Sequence, residues 1–92
     1  MTTAADPLAA LRARFVARCR NDLEVLTELA GDPTRIQDEA VRLTLHSLAG
    51  SAGTFGFAEI SRLAGLLDEA VRERSPLDLS VLAELVGALR AL

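Results

Sequence analysis

The one histidine of the chain, His46, is followed by small residues at helical spacing. In the segment LHSLAGSAGTFGF, residues 45–57, Ala49 and Gly50 come about one helical turn after His46, and Gly53 comes about two turns after it. A free imidazole is largely uncharged near neutral pH, so one of its nitrogens can act as a nucleophile. Glycine inside a helix costs about 1 kcal/mol relative to alanine. Two glycines beside a histidine therefore indicate a surface that another group must approach closely, or else helix–helix packing through small residues with the histidine incidental.

Helical phase places His46 on the solvent side of its helix. At about 100° per residue, the predicted core side lies opposite His46 and consists of Val41, Leu48, Ala52, Ala40, Thr44 and Ser51. The residues within about 60° of His46 are Arg35, Glu39, Arg42, Leu43, Ala49, Gly50 and Gly53. Arg42 is the nearest cation on this side. Leu43 is apolar although it faces solvent, so we expect it to form a docking surface with Ala49 and Gly50.

Other kinds of reactive site are not indicated by the sequence. His46 and the only cysteine, Cys19, fall on different helices and cannot form a zinc site, so no metal is expected. Ser47 points about 100° away from His46 and has no orienting acid, which argues against a hydrolase. The glycines that follow His46 come after no strand and lack the lysine of a phosphate-binding loop.

Four amphipathic helices are predicted around this segment. Asp6-Pro7 begins the first helix, with Asp6 as the N-cap, and Gly31 ends it. Thr34 and Gln37 form a capping-box pattern that predicts the start of the second helix at residue 35. The second, third and fourth helices are predicted over residues 35–52, 57–74 and 79–91. Short links between four such helices predict an all-α, antiparallel up-down-up-down four-helix bundle.

Apolar residues at steps of three and four predict which faces of these helices are buried. In the first helix they are Leu8, Leu11, Phe15, Cys19, Leu23, Leu26 and Ala30. In the third they are Ile60, Leu63, Ala64, Leu67, Ala70 and Val71, and in the fourth Leu82, Leu85, Val86 and Leu89. The chain of 92 residues is accordingly predicted to be one domain, residues 1–92, with residues 1–5 as a flexible tail.

Composition excludes several classes of partner. A net charge of −3 argues against nucleic acid as a main partner, because phosphate binding needs a basic surface.

No apolar run approaches the roughly 20 residues of a membrane span, and the first residues do not resemble a signal peptide. One cysteine fits a reducing compartment, so we expect a cytoplasmic protein. All ten basic residues are arginine, which is typical of a GC-rich bacterial genome.

Residues 46–56, HSLAGSAGTFG, resemble the signature of the histidine-phosphotransfer (HPt) family. That signature is a histidine, two residues, Lys-Gly, a few small residues, and an aromatic residue or leucine before glycine; the resemblance extends over about residues 8–90. It implies that His46 accepts a phosphoryl group from the aspartyl phosphate of a response-regulator receiver domain and passes it to another receiver. It also implies a hybrid histidine kinase as a partner, and Gly50 as the residue that leaves the phosphoryl group unhindered.

The same resemblance implies a phosphorelay intermediate that is not an enzyme by itself. It implies no cofactor on this chain, since the Mg²⁺ of the reaction belongs to the receiver. One departure matters: Ala49 stands where the family has lysine. Arg42 either substitutes for that lysine or pairs with Glu39 or Asp38 as a surface charge. Two other functions stay open, a degenerate module that binds receivers or a kinase without carrying phosphate, and a plain helical interaction or dimerisation module.

Overall fold

The structure, a computed structural model, describes residues 6–92. Its helices are α1, Pro7–Gly31; α2, Glu39–Ser51; α3, Ala58–Glu73; and α4, Leu79–Arg90. A short 3-10 helix, Pro33–Gln37, lies between α1 and α2. Each α-helix packs against the next one along the chain, and α4 packs back against α1. The predicted all-α four-helix bundle is therefore confirmed, while the predicted tail, residues 1–5, lies outside the described residues.

Aspartates begin the first and last helices as the sequence predicts for α1. Asp6 Oδ1 accepts a hydrogen bond from the backbone N–H of Leu8 at 2.9 Å, which satisfies one free donor of α1. Asp78 Oδ1 does the same for α4, accepting from Ser80 at 3.0 Å and Val81 at 3.2 Å. These contacts fix where both helices start. None of the helices in residues 6–92 is long and apolar enough to cross a membrane.

The predicted start of the second helix at residue 35 is wrong. Asp32 caps the 3-10 helix, with its Oδ1 accepting from the backbone N–H of Thr34 at 3.3 Å, and the backbone of Asp38 is extended, with ψ of 138°. The side chain of Gln37 donates to the carbonyl of Val71 at 3.5 Å instead of closing a capping box with Thr34. Because the extended residue interrupts the helical path, α2 begins only at Glu39.

The buried faces of α3 and α4 agree closely with the sequence pattern. All four residues predicted for α4 are buried. Of the six predicted for α3, five are buried and Ala70 is half-buried. Helix α3 ends at Glu73, and the next residue, Arg74, has a φ of 54° in the left-handed region, which turns the chain toward α4.

The buried face of α1 begins later than the sequence pattern suggests. Phe15, Cys19 and Leu26 are buried as predicted and Leu23 is half-buried, but Leu8, Leu11 and Ala30 are exposed. The ring of Phe15 packs on those of Phe55 and Phe57, at centroid distances of 5.3 and 5.5 Å, in the turn after α2. Leu8 and Leu11 precede this aromatic contact on the same stripe and remain exposed, although Leu11 still lies near Phe55.

Two titratable groups lie on the buried face of α1. Burial raises the pKa of the Cys19 thiol to about 11, with a smaller contribution from the nearby Asp22 carboxylate, so the thiol stays protonated. Asp22 itself is only 8% exposed, and its Oδ2 atom has no hydrogen-bond partner. Burial also raises the pKa of Asp22, an effect that the positive charge of Arg18 partly opposes. The sequence pattern did not predict a buried carboxylate here.

On α2 the core side is shifted relative to the predicted arc. Val41, Leu48 and Ala52 are buried as predicted, and Leu45 is buried with them. Ala40, which the arc placed in the core, is exposed, while Thr44 and Ser51 are half-buried. The shift follows from packing, because α2 packs mainly against α3.

Candidate functional site

His46 lies in the middle of α2 with its imidazole directed away from the core. Its side chain is 78% exposed, as the helical phase predicted. Its neighbours Leu45 and Leu48 are fully buried and fix the rotation of the helix about its axis. The backbone around His46 is therefore held by the core while its side chain stays accessible to another protein.

Asp68 of α3 reaches across the helix pair to the imidazole. His46 Nδ1 and Asp68 Oδ2 are 3.3 Å apart, and the side chain of Asp68 is only 13% exposed. An ionised carboxylate only accepts hydrogen bonds, so we assign the proton to Nδ1. The lone pair is then on Nε2. The sequence pattern does not single out Asp68, because nothing in the spacing of α3 shows which residue meets His46.

The same carboxylate oxygen also faces an arginine. Arg72, one turn after Asp68 on α3, places its Nε atom 3.7 Å from Asp68 Oδ2. Imidazole and guanidinium therefore share one acceptor atom. The arginine side chain is exposed, and the ion pair is longer than a direct hydrogen bond, so Arg72 is held loosely.

A cleft of about 230 Å³ opens beside the imidazole between α2 and α3. We call it the His46 cleft; its lining residues are Glu39, Arg42, Leu43, His46, Asp68, Val71 and Arg72. Within residues 6–92, Arg42 forms no ion pair, and Asp38 pairs with Arg35 at 2.8 Å instead. The pairing of Arg42 with Asp38 or Glu39 that the sequence left open is thus not formed.

The small residues after His46 differ in their surroundings. Gly50 is exposed, and a Cβ atom added there would meet nothing within 4 Å. Gly53 follows the end of α2, and a Cβ atom there would lie 3.4 Å from Ser61 Oγ. The Ser61 hydroxyl also donates to the carbonyl of Ala49 at 2.7 Å, which joins α3 to the last turn of α2. Gly50 thus leaves open surface beside His46, whereas Gly53 faces a neighbouring helix.

Leu43 is the most exposed of the large apolar side chains in residues 6–92, at 61%. It lines the His46 cleft together with Arg42, so the exposure and the location expected from helical phase agree with the structure. Its role in docking stays a prediction.

Arginines of α1 contact the opposite side of α2 and the turn that follows it. Arg18 donates a hydrogen bond to the hydroxyl of Ser47, and Arg12 Nε donates to the carbonyl of Phe55 at 3.4 Å. Ser47 is therefore occupied by a structural contact and is turned away from the imidazole. No group of three or more His, Cys, Asp or Glu side chains that could hold a metal ion occurs in the described part of the chain.

A family model described as the Hpt domain matches residues 10–92, nearly the whole chain. The resemblance carried by residues 46–56 is thereby confirmed. Comparison with curated proteins and with solved structures gives no match.

Proposed function

Since the chain belongs to the Hpt domain family, we propose that it is a phosphorelay intermediate that carries a phosphoryl group on His46. Hpt domains are phosphotransfer modules of phosphorelays rather than catalysts in themselves. The single observation that carries the proposal is an exposed imidazole whose Nδ1 atom is held by Asp68 at 3.3 Å. That contact leaves Nε2 free to meet a partner.

The proposed transfer follows from this arrangement. The Nε2 lone pair of His46 forms a bond to the phosphorus of the partner's aspartyl phosphate, and the bond from phosphorus to the aspartyl oxygen breaks. The partner's aspartate leaves as a carboxylate. Because Nδ1 keeps its proton, the phosphorylated ring carries a positive charge, which the Asp68 carboxylate neutralises. A protonated ring is also the better leaving group when the phosphoryl group moves on to a second receiver.

We propose response-regulator receiver domains and a hybrid histidine kinase as the partners. Gly50 leaves the surface beside the imidazole open, so a receiver can bring its phosphorylated aspartate close to Nε2. The Mg²⁺ of the reaction stays with the receiver in this proposal, and this chain contributes the nucleophile and its positioning. A chain with ten arginines, no lysine and one buried thiol fits a bacterial cytoplasm as the place of action.

A second function is favoured by one departure from the family signature. Ala49 replaces the lysine, so the last turn of α2 offers no cation for phosphoryl oxygens. A module that binds receivers or a kinase without carrying phosphate would need no such cation. It would still use the exposed surface around Leu43 and Gly50 for docking.

Acid-quenched phosphotransfer separates the two functions. Each receiver domain of the source genome is phosphorylated and mixed with the wild-type chain or with His46→Gln. We expect wild type to gain an acid-labile phosphate and His46→Gln to gain none, with an unchanged helical circular dichroism spectrum because the side chain is exposed. Binding without transfer by wild type would favour the degenerate module, and phosphate on the variant would contradict the assignment of His46.

A further inference from the structure

A phosphorylated imidazole in this chain needs cationic donors that α2 does not supply at residue 49. A phosphoryl group near neutral pH carries up to about two negative charges and three strong acceptor oxygens. The methyl side chain of Ala49 cannot donate a hydrogen bond to the phosphoryl oxygens. The backbone carbonyl of Ala49 already accepts a hydrogen bond from the Ser61 hydroxyl at 2.7 Å. Any charged donor must therefore come from elsewhere on the surface around His46.

Two arginines meet this need from facing helices. Arg42 comes one turn before His46 on α2, and Arg72 comes one turn after Asp68 on α3. Because α2 and α3 are joined by a short turn and run in opposite directions, both arginines lie toward the same end of the bundle. Both line the His46 cleft, which at about 230 Å³ has room for several water molecules or one phosphoryl group.

The charges lining the cleft favour an anion once His46 is phosphorylated. Asp68 is engaged by the imidazole, which leaves Glu39 as the one other carboxylate on the lining. Glu39 forms no ion pair within the described residues, and neither does Arg42. Arg72 has only the 3.7 Å contact to Asp68, so its guanidinium can turn toward phosphoryl oxygens at little cost.

We infer that the phosphoryl group on Nε2 lies at the mouth of the His46 cleft and that Arg72 of α3, with Arg42 of α2, reaches out to bind its oxygens in place of the lysine absent at residue 49. This inference rests on the proposed function, since it requires phosphate on His46. It places the phosphoryl group on the Arg42 side of the imidazole rather than on the Gly50 side. Gly50 then provides clearance for the receiver rather than for the phosphoryl group itself.

The lifetime of the phosphorylated chain tests the inference without a protein partner. Potassium phosphoramidate, a small phosphoryl donor, is used to label the full chain, and loss of phosphohistidine is followed by phosphorus NMR. We expect Arg72→Ala to shorten the half-life by about three- to tenfold, the scale of one charge-assisted hydrogen bond. Arg72→Lys should retain most of the lifetime, and Arg42→Ala combined with Arg72→Ala should shorten it further.

Arg62→Ala is the matched control, because Arg62 is an exposed arginine of α3 that pairs with Glu59 and does not line the cleft. It should leave the half-life unchanged. High salt should reduce the difference between wild type and Arg72→Ala, since these charges are exposed to solvent. In addition, the side-chain Nε–H signal of Arg72 should shift on phosphorylation of the wild-type chain, a change that a merely structural role would not produce.

Several outcomes would overturn the inference. If Arg72→Ala matches wild type while Ala49→Lys lengthens the half-life, the phosphoryl group lies on the Gly50 side. If neither variant has an effect, this chain contributes no cation to the phosphoryl group. If wild type is labelled neither by phosphoramidate nor by any receiver, the proposed function fails as well, which distinguishes that failure from an error about Arg72 alone.

Discussion

Two carboxylates of this bundle are largely removed from solvent, and their surroundings differ. Asp68, on the α2–α3 side, has two partners, the imidazole of His46 at 3.3 Å and the guanidinium of Arg72 at 3.7 Å. Asp22, on the buried face of α1, has an Oδ2 atom with no hydrogen-bond partner, and burial raises its pKa. Two groups therefore face the carboxylate of Asp68, whereas the positive charge of Arg18 offsets only part of the cost of burying Asp22.

This difference suggests different consequences: Asp68 contributes to the candidate site, whereas Asp22 lowers the free energy of unfolding. A buried carboxylate without partners destabilises the folded state, because it loses the hydrogen bonds that water gave it. A carboxylate that orients an exposed imidazole gains its partners on folding and adds little to the core. The comparison predicts that removing the charge of Asp68 changes phosphoryl transfer, whereas removing the charge of Asp22 changes the free energy of unfolding.

The largest expected effect is that of Asp68→Asn on transfer. The amide can still accept from Nδ1, but it no longer neutralises the positive ring that phosphorylation creates. We expect phosphoryl uptake to slow by about tenfold, the scale on which a charge-assisted hydrogen bond exceeds a neutral one. Rapid-quench transfer from a phosphorylated receiver measures the rate, and urea unfolding should show nearly unchanged stability. A wild-type rate in the variant would show that the negative charge of Asp68 does not assist the transfer.

Leu43→Glu tests whether a receiver domain docks on the side of the bundle that carries His46 and Asp68. We expect receiver binding to weaken by about 1–3 kcal/mol, as for a contact residue in an interface. Thermal stability should change little, because the side chain is 61% exposed. Leu66→Glu is the matched control, an exposed leucine of α3 outside the His46 cleft. Equal losses of affinity in both variants, or a large loss of stability in Leu43→Glu, would contradict the prediction.

Asp22→Asn should stabilise the chain by about 1 kcal/mol at pH 7, the scale of one unsatisfied buried group. Because burial raises the pKa of Asp22, the folded state holds this proton to higher pH than the unfolded state does. The ionisation therefore lowers the stability of wild type as pH rises through and above about 4, the ordinary aspartate value.

Urea unfolding at a series of pH values measures the effect of Asp22→Asn. The advantage of the variant should be absent below pH about 4, where both states of wild type are protonated, and should grow as the pH is raised. A variant that is less stable than wild type at pH 7 would show that Asp22 has a stabilising partner, with Arg18 as the candidate because its positive charge opposes the rise in the pKa of Asp22.

The smallest expected effects concern the two glycines that follow His46. Gly50→Ala should raise the free energy of unfolding by about 0.5–1 kcal/mol, because alanine is the better helix former and its Cβ would meet nothing within 4 Å. Gly53→Ala should gain less, since Gly53 lies outside α2 and its Cβ would contact Ser61. Thermal unfolding measures both. Receiver-dependent transfer should slow only in Gly50→Ala, and equal slowing in the two variants would contradict the assignment of Gly50 to the docking surface.

How much of the fold the sequence predicts depends on what covers each helix face. The four apolar positions of α4 and five of six in α3 are buried as their spacing indicates, because other helices cover those faces along their length. On α1 the same spacing includes Leu8 and Leu11, which are exposed. Periodicity gives the direction of an apolar stripe, but it cannot show where the neighbouring helix stops.

The candidate site was predictable in part for the same reason. The exposure of His46 follows from its angle on one helix, which the sequence contains. The contacts of Asp68 depend on how far α3 is shifted along α2, and no local pattern encodes that shift. The early helix start failed because Thr34 and Gln37 fit a capping box, although Asp38, an equally good N-cap residue, is the one that in fact precedes α2.

The empty space around Gly50 has an evolutionary consequence. Nothing within 4 Å of an added Cβ atom opposes alanine there, and helix propensity favours it. A descendant of this chain that no longer met a receiver would therefore drift toward alanine or larger residues at this position without harm to folding. Gly53 would be under a different constraint, since its neighbour Ser61 belongs to the same molecule. Homologues in which Gly50 is replaced while Gly53 is kept would thus be those that no longer bind a receiver but still fold as a four-helix bundle.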